Sequence, residues 1–239
     1  MVNTFKEIGL KEGCLYEILA TTFSIKSKEL IPNASCMGIR LQDQETIVIN
    51  PYQNTLTYKN LKENCLICIN FLENIYLYAL AALKGPYLSE SLREFPIEYY
   101  NYYGLKRNVK IKENKIKLPF VRDAWAILIC ESINESTFIK KDDFGEVNLP
   151  IFTLKALEIL KFKNSHKFFN RAENLTLETI ILTTKLKVAY EIKRIDLIKS
   201  YQNKIEDTIQ DIRRFGRNPE VIKSLELVEE YIQNLKRII

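Results

Sequence analysis

The chain has 239 residues, of which 46% are hydrophobic, so it can bury one large core or the core of a domain with an appendage. Its seven glycines and seven prolines are too few for collagen-like or long disordered segments. The formal net charge of +5 comes from 35 basic and 30 acidic residues spread along the chain, so a polybasic arm of the kind that binds nucleic acid is not expected.

The first predicted domain, residues 1–150, alternates short strands with turns and short helices. Apolar and β-branched runs predict five strands, at residues 14–23, 34–41, 46–49, 66–71 and 124–132. Short helices are predicted at 57–63 and 74–83, and a hairpin at 109–118. Because a regular strand–helix–strand rhythm is missing, we expect a mainly antiparallel, closed or partly closed β-barrel in an α+β protein.

The second predicted domain, residues 151–239, has helical periodicity almost throughout. Helices are predicted at residues 152–162, 169–190, 192–215 and 219–238. Gly216 and Pro219 mark a helix end and a helix start, so the last two helices are expected to form an antiparallel hairpin in a C-terminal bundle. Apolar residues of the last helix form a stripe for a partner helix in the same or a second chain: Val221, Leu225, Val228, Ile232 and Leu235.

The residue inventory argues against several classes of function. No apolar run reaches the roughly 20 residues that span a bilayer, and the first residues lack the apolar core of a signal peptide, so we expect a cytoplasmic protein without a membrane partner. His166 is the only histidine, which argues against a histidine metal site or a Ser-His-Asp triad. We therefore predict no metal site and assign no catalytic residue, and any chemistry should come from a cofactor.

A run of small residues enters the second predicted strand, and backbone amides can approach a flat polar ring there. Its members are Asn33, Ala34, Ser35, Cys36, Met37 and Gly38. About twenty residues later, hydroxyls and a lysine stand at the start of a predicted helix: Thr55, Thr57, Lys59 and Asn60. Unpaired N–H groups and the helix dipole favour a phosphate at such a position. An ordinary N-cap formed by Thr55 or Thr57 is the alternative interpretation.

With these motifs the chain resembles the FMN-binding split-barrel proteins, and specifically an uncharacterised, largely archaeal branch of flavin reductase-like proteins. The resemblance rests on residues 16–22, 32–38, 50–52, 57–61 and 65–70, and it extends weakly to 169–173 and 178–181. It implies that FMN is the cofactor, that the segment from Asn33 to Gly38 lines the isoalloxazine ring through backbone contacts, and that Thr57 helps to bind the phosphate. Thr55, Lys59 and Asn60 are added as cofactor-binding candidates.

The resemblance also implies a homodimer with the flavin near the interface, and a flavin-dependent oxidoreductase that exchanges hydride or electrons with a nicotinamide, a deazaflavin or a pterin. One alternative is a flavin-binding or storage protein without catalysis. Another is a nucleic-acid-binding or scaffold protein that uses the helical tail.

The cysteines are expected to be buried thiols, because Cys14, Cys65, Cys68 and Cys130 all lie in strand-like runs. Cys36 stands where the family pattern usually has proline or another small residue. A redox-active thiol beside a flavin is one interpretation of Cys36, and a small hydrophobic residue is the other. Cys65 and Cys68 invite a metal or thioredoxin interpretation, but positions i and i+3 of a strand face opposite ways, so we expect core residues.

Overall fold

The computed structural model describes residues 4–12, 14–105, 117–164, 170–215 and 218–238. Eight strands are present in these ranges: β1 (Leu15–Lys26), β2 (Glu29–Leu41), β3 (Thr46–Ile49), β4 (Leu66–Phe71), β5 (Tyr100–Gly104), β6 (Lys117–Val121), β7 (Ala126–Asp142) and β8 (Gly145–Lys161). Six α-helices accompany them: α1 (Thr4–Glu7), α2 (Leu56–Asn64), α3 (Ile75–Leu83), α4 (Arg171–Glu191), α5 (Ile195–Phe215) and α6 (Pro219–Ile238). Six strands close an antiparallel barrel in the order β1-β2-β3-β8-β7-β4, and β5 pairs with β6 in a separate sheet.

Alternating side chains fill the barrel, because every second residue of a strand points to the same face. Ile18 of β1, Ile39 of β2 and Ile47 of β3 are fully buried in one apolar cluster. Phe5 and Leu10 of the N-terminal segment belong to the same cluster. Each large apolar side chain buried in this way contributes roughly 1.5–3 kcal/mol, so the barrel has a continuous core.

The hairpin of β1 and β2 positions the residues of the predicted site. The two strands pair along their whole lengths, from Leu15↔Arg40 to Lys26↔Glu29. Along its other edge β2 pairs with β3 at Arg40 and Leu41 in the described part of the chain. The start of α2 lies against the middle of β2, where the hydroxyls of Thr57 and Ser35 are hydrogen-bonded.

A left-handed residue ends α2 and allows the chain to enter β4 at once. Cys65 has φ 57°, and its N–H donates to the carbonyl of Leu61. This residue is more often glycine or asparagine, so a cysteine here is unusual. The sharp turn joins the helix of the predicted site directly to the strand that closes the barrel beside β1.

The helical region is built from α3 and the three C-terminal helices, with α4 packed against α3, α5 and α6. Asn170 caps α4 by accepting hydrogen bonds from the N–H groups of Ala172 and Glu173. Helix α6 has the predicted bounds. Four residues of its predicted stripe are buried, and Ile232 is partly buried: Val221, Leu225, Val228, Ile232 and Leu235. Both α5 and α6 pack on α4, and Arg213 of α5 forms an ion pair with Glu229 of α6.

The predicted fold class, an antiparallel barrel followed by helices, is confirmed, but the helix predicted at residues 152–162 is wrong. Residues 152–161 belong to β8, which pairs with both β3 and β7. Phe152 and Leu154 point into the core and the intervening Thr153 does not, which is strand spacing. The spacing of a short apolar run can fit a helix or a strand, and here pairing with distant strands favours the strand.

The chain divides into two compact units. One comprises Met1–Leu72 and Ile97–Ser165, and the other Glu73–Pro96 and His166–Ile239. The predicted boundary at residue 150 differs from this division, because it falls inside β8. Most of the hairpin predicted at residues 109–118 lies outside the described residues, and its last two residues begin β6. Among the helices in the described ranges, none combines the length and hydropathy needed to cross a membrane.

Candidate functional site

The fold brings the two predicted motifs together at the start of α2. Thr22 of β1 lies opposite Asn33 of β2 in the register, and both side chains face the helix. Ser35 follows two residues later on the same face of β2, while Thr57 and Asn60 come from α2. These five side chains, which we call the hydroxyl–amide cluster, join two strands to one helix.

Hydrogen bonds connect every member of the hydroxyl–amide cluster. Asn33 Nδ2 donates to Thr22 Oγ1 at 3.3 Å and to Thr57 Oγ1 at 3.2 Å. Asn60 Nδ2 donates to Thr22 Oγ1 at 3.0 Å, and the hydroxyls of Ser35 and Thr57 are 2.5 Å apart. Four of the five residues are buried, and Ser35 is partly exposed. Buried polar groups are usually satisfied in this way, and the arrangement leaves the hydroxyl of Ser35 closest to solvent.

The N-cap of α2 is Thr55, so the alternative interpretation of an ordinary helix cap applies to this residue. Thr55 Oγ1 accepts from the N–H of Tyr58 at 3.3 Å and donates to the carbonyl of Tyr52 at 2.7 Å. Thr57 therefore does not cap the helix, since its hydroxyl turns to the strands. The N–H groups of Leu56 and Thr57 precede the first i→i−4 bond of the helix. They are the groups that would meet an anion there, with the positive end of the helix dipole behind them.

The small-residue run of β2 is divided between two faces of the strand. Asn33 and Ser35 reach the hydroxyl–amide cluster, and Met37 packs against the barrel core. The intervening residues Ala34, Cys36 and Gly38 share the opposite face by strand alternation. Ala34 is fully buried, whereas Cys36 and Gly38 are partly exposed.

Gly38 has room for a larger residue only at the expense of a flexible neighbour. A Cβ at Gly38 would lie 2.6 Å from Cδ1 of Leu15 and 3.7 Å from Oε1 of Glu17. Leu15 is 50% exposed, so its side chain can move aside. Packing within the chain therefore does not require glycine at this position.

Two of the four residues predicted at the start of α2 are not part of the hydroxyl–amide cluster. Thr55 is occupied as the N-cap, and Lys59 is exposed on the surface of α2. Thr22 was not predicted as a site residue, although it lies within the segment 16–22 that carries the family resemblance. The feature that identifies Thr22 is the pairing register of the β1–β2 hairpin, which places it opposite Asn33.

An ion pair joins the exposed side of α2 to β7. Glu135 accepts a hydrogen bond from Tyr58 Oη at 3.1 Å and forms an ion pair with Lys62 Nζ at 2.6 Å. Burial, followed by the contact with Glu135, raises the pKa of Tyr58. The hydrogen bond from Lys62 to Glu135 raises the pKa of Lys62. This ion pair holds α2 against the barrel on the side away from the cluster.

The cysteines are only partly as predicted. Cys68 and Cys130 are buried, but Cys14 and Cys65 are exposed, so the prediction of buried thiols is wrong for those two. Burial raises the pKa of Cys68 to about 12 and that of Cys130 well above its usual value. The part of the chain that the structure describes contains no group of three or more His, Cys, Asp or Glu side chains arranged to hold a metal. His166 lies outside that part.

Two surface cavities lie away from the predicted site. One, of about 540 Å³, is lined by residues 5, 9–12, 41, 43 and 44. The other, of about 470 Å³, lies among α4, α5 and α6. None of the predicted site residues lines either cavity.

The barrel topology and the helices that follow it define an α+β protein built on an antiparallel closed barrel, the fold class predicted from the sequence. Residues 16–161 match the model of the N-terminal domain of DUF447, a family of proteins of unknown function, and the chain belongs to this family.

One solved structure agrees with this placement. An FMN-bound protein from Methanosarcina mazei, described as a member of DUF447, is 18% identical, and the match covers 95% of this chain and 98% of that one with a TM-score of 0.65. An FMN-binding protein from Thermus thermophilus is 9% identical over 63% of this chain and 72% of that one, with a TM-score of 0.41. The flavin reductase of a styrene monooxygenase from Pseudomonas putida is 10% identical over 62% and 83%, with a TM-score of 0.37. The last two scores are too low to bear on the fold of this chain.

Proposed function

We propose that this protein binds FMN and acts as a flavin-dependent oxidoreductase. The observation that carries the proposal is the meeting of Asn33, Ser35 and Thr57 at the start of α2, where two motifs predicted from separate parts of the sequence form one polar cluster. The shared fold with a protein described as FMN-bound supports it. A homodimer with the flavin near its interface and a cytoplasmic location are further parts of the proposal.

The phosphate of FMN would be held by neutral donors and not by a cluster of cations. The hydroxyls of Ser35 and Thr57 and the first N–H groups of α2 can all donate to phosphate oxygens. Lys59 lies exposed on the same helix and would add positive charge from outside the hydroxyl–amide cluster. Because hydrogen bonds to a charged group are stronger than neutral ones, the hydroxyls would prefer the phosphate to each other.

The ring would lie along β2, where Cys36 and Gly38 present little side-chain bulk. A bound flavin would supply hydride transfer, with a nicotinamide, a deazaflavin or a pterin as the partner. The protein would contribute binding and orientation. The proposed function requires no chemical step from Cys36.

Comparison of FMN with riboflavin tests the phosphate assignment, because the two ligands differ only in that group. We expect FMN to bind more tightly than riboflavin to the wild-type protein. Thr57→Val should weaken FMN binding by roughly 10- to 150-fold, since a hydrogen bond to a charged group contributes about 1.5–3 kcal/mol. Riboflavin affinity should stay unchanged, and Thr57→Ser, which keeps the hydroxyl, should retain most of the preference.

Gly38→Ala provides the complementary variant for the ring. The added methyl group displaces a flexible leucine side chain, so thermal stability should change little. If the ring lies against this part of β2, both flavins should bind more weakly by a similar factor. Equal flavin affinities in the wild-type and Gly38→Ala proteins would place the ring elsewhere.

Reduction experiments separate the oxidoreductase from a storage protein. Bound FMN should lose its oxidised absorbance when a reduced nicotinamide or deazaflavin is added without oxygen. A protein that binds FMN tightly but is reduced by no such donor would favour the storage alternative. Failure to bind added FMN would overturn both, and sedimentation analysis of the FMN-loaded protein would test the homodimer.

A further inference from the structure

We propose that Thr22 is a positioning residue of the phosphate site, although it belongs to neither predicted binding motif. Its hydroxyl oxygen fixes the two carboxamides of the hydroxyl–amide cluster, and through Asn33 it determines which way the hydroxyl of Thr57 donates. This inference rests on the proposed binding of FMN. It adds a residue whose effect on the ligand is indirect.

The geometry places Thr22 at the centre of the cluster and not at its edge. Thr22 and Asn33 are directly opposed in the register of β1 and β2, and such side chains lie on the same face. Asn60 approaches the same hydroxyl from α2. All three residues are at least nine-tenths buried, at 1%, 6% and 4% exposed, so water cannot readily substitute for a lost partner.

The donor and acceptor roles within the cluster follow from simple counting. A hydroxyl oxygen has two lone pairs, and those of Thr22 are matched by the two N–H donors from Asn33 and Asn60. The second N–H of Asn33 donates to Thr57 Oγ1. Because Thr57 accepts this bond, its own proton can point to Ser35 or to an anion.

Removal of the Thr22 hydroxyl would allow the carboxamide of Asn33 to turn over. Its carbonyl oxygen would then face Thr57, and the Thr57 hydroxyl would donate to it. The lone pairs of Thr57 would face the phosphate in place of its proton. A change on β1 would therefore weaken binding of the phosphate while the flavin ring and ribityl chain are unaffected.

The experiment measures FMN and riboflavin affinities of the full chain with Thr22→Val, which removes the hydroxyl and keeps the shape. We expect FMN to bind at least about tenfold more weakly, the free-energy equivalent of one hydrogen bond, and riboflavin to bind within twofold of wild type. Thr22→Ser should restore the FMN preference. An unchanged ratio of the two affinities in Thr22→Val would overturn the inference.

Thr21→Val is the matched control, because Thr21 is equally buried in the same strand. Its hydroxyl faces the other way and donates to the carbonyl of Pro119 at 2.6 Å. This variant should lose stability without changing the ratio of affinities. If Thr22→Val does not fold, Thr22→Ser and Thr22→Ala provide a pair that differs only in the hydroxyl.

The wild-type protein separates failure of this inference from failure of the proposed function. Binding of neither flavin would overturn both. Equal binding of FMN and riboflavin would leave flavin binding intact and overturn the phosphate site, and with it the role of Thr22. A wild-type preference for FMN that persists in Thr22→Ala and Thr22→Val would overturn the role of Thr22 alone.

Discussion

Replacement of Asn70 by leucine should strongly destabilise the barrel. Asn70 is the penultimate residue of β4, is fully buried, and uses both ends of its carboxamide. Its Nδ2 donates to the carbonyl of Leu19 at 2.9 Å and to that of Cys68 at 3.1 Å, and its Oδ1 accepts from the N–H of Val121 at 2.7 Å. One side chain therefore links β4 to β1 in the barrel and to β6 outside it.

The magnitude follows from what leucine leaves behind. The N–H of Val121, which is 0% exposed, would lose its acceptor, and a buried donor without a partner costs about 1–3 kcal/mol. The carbonyl of Leu19 would lose a donor in an equally dry position. We expect a total loss of about 2–4 kcal/mol, which corresponds to a fall in Tm of roughly 4–16 °C for a chain of this size.

Urea unfolding followed by tryptophan fluorescence is the appropriate assay. Trp125 is the only tryptophan. Its ring centroid lies 5.6 Å from that of Phe71, and its backbone N–H donates to the Phe71 carbonyl. Its fluorescence therefore reports on the barrel beside Asn70. Asn64→Leu is the control, since Asn64 also donates to a carbonyl but is half-buried, and it should cost about 1 kcal/mol or less. Equal midpoints for wild type and Asn70→Leu would refute the reasoning.

Four further predictions concern α2, its contact with β7 and the thiols. Thr55→Ala should lower stability by about 1 kcal/mol through loss of the N-cap, and Thr55→Ser should restore it in the same urea assay. In native protein at mildly alkaline pH, mass spectrometry should find Cys14 and Cys65 alkylated, and Cys68 alkylated only after unfolding. The folded pKa of Cys68, about 12, lies above the unfolded value, so the thiol ionises in the unfolded chain before it ionises in the folded one; the folded state should therefore lose stability as pH rises from about 9 towards 12. Glu135→Gln should cost no more than about 1 kcal/mol at low salt, and a difference that persists in molar salt would contradict an ionic origin.

Elements set by local signals were predictable from the sequence. The bounds of α6 agree with the prediction because Pro219 fixes the start of the helix and its apolar stripe repeats at helical spacing. The strands β3 and β4 were also predicted correctly, since both are short and mainly apolar. The prediction for residues 152–162 was wrong because their apolar positions fit both helical and strand spacing. Pairing with β3, about 100 residues earlier in the chain, makes this segment a strand.

The candidate site divides in the same way. Asn33 and Ser35 stood out as members of a small-residue run suited to a flavin ring, and Thr57 as a hydroxyl suited to a phosphate. The fold brings the side chains of all three into one hydroxyl–amide cluster. Thr22 could not be found from its own surroundings, because its role depends on which residue of β2 lies opposite it. Pairing register is a property of the folded hairpin, and a shift of one residue would have turned Thr22 away from the cluster.

Strand alternation also determines how a six-residue motif can act. Consecutive residues of β2 face opposite sides, so the run from Asn33 to Gly38 cannot present all its side chains to one ligand. Asn33 and Ser35 turn to α2, while Cys36 and Gly38 turn outward. Any ligand that contacts the whole run must therefore use side chains at alternate positions and the backbone between them. Small residues are favoured on the outward face for that reason, and polar residues on the face that meets the helix.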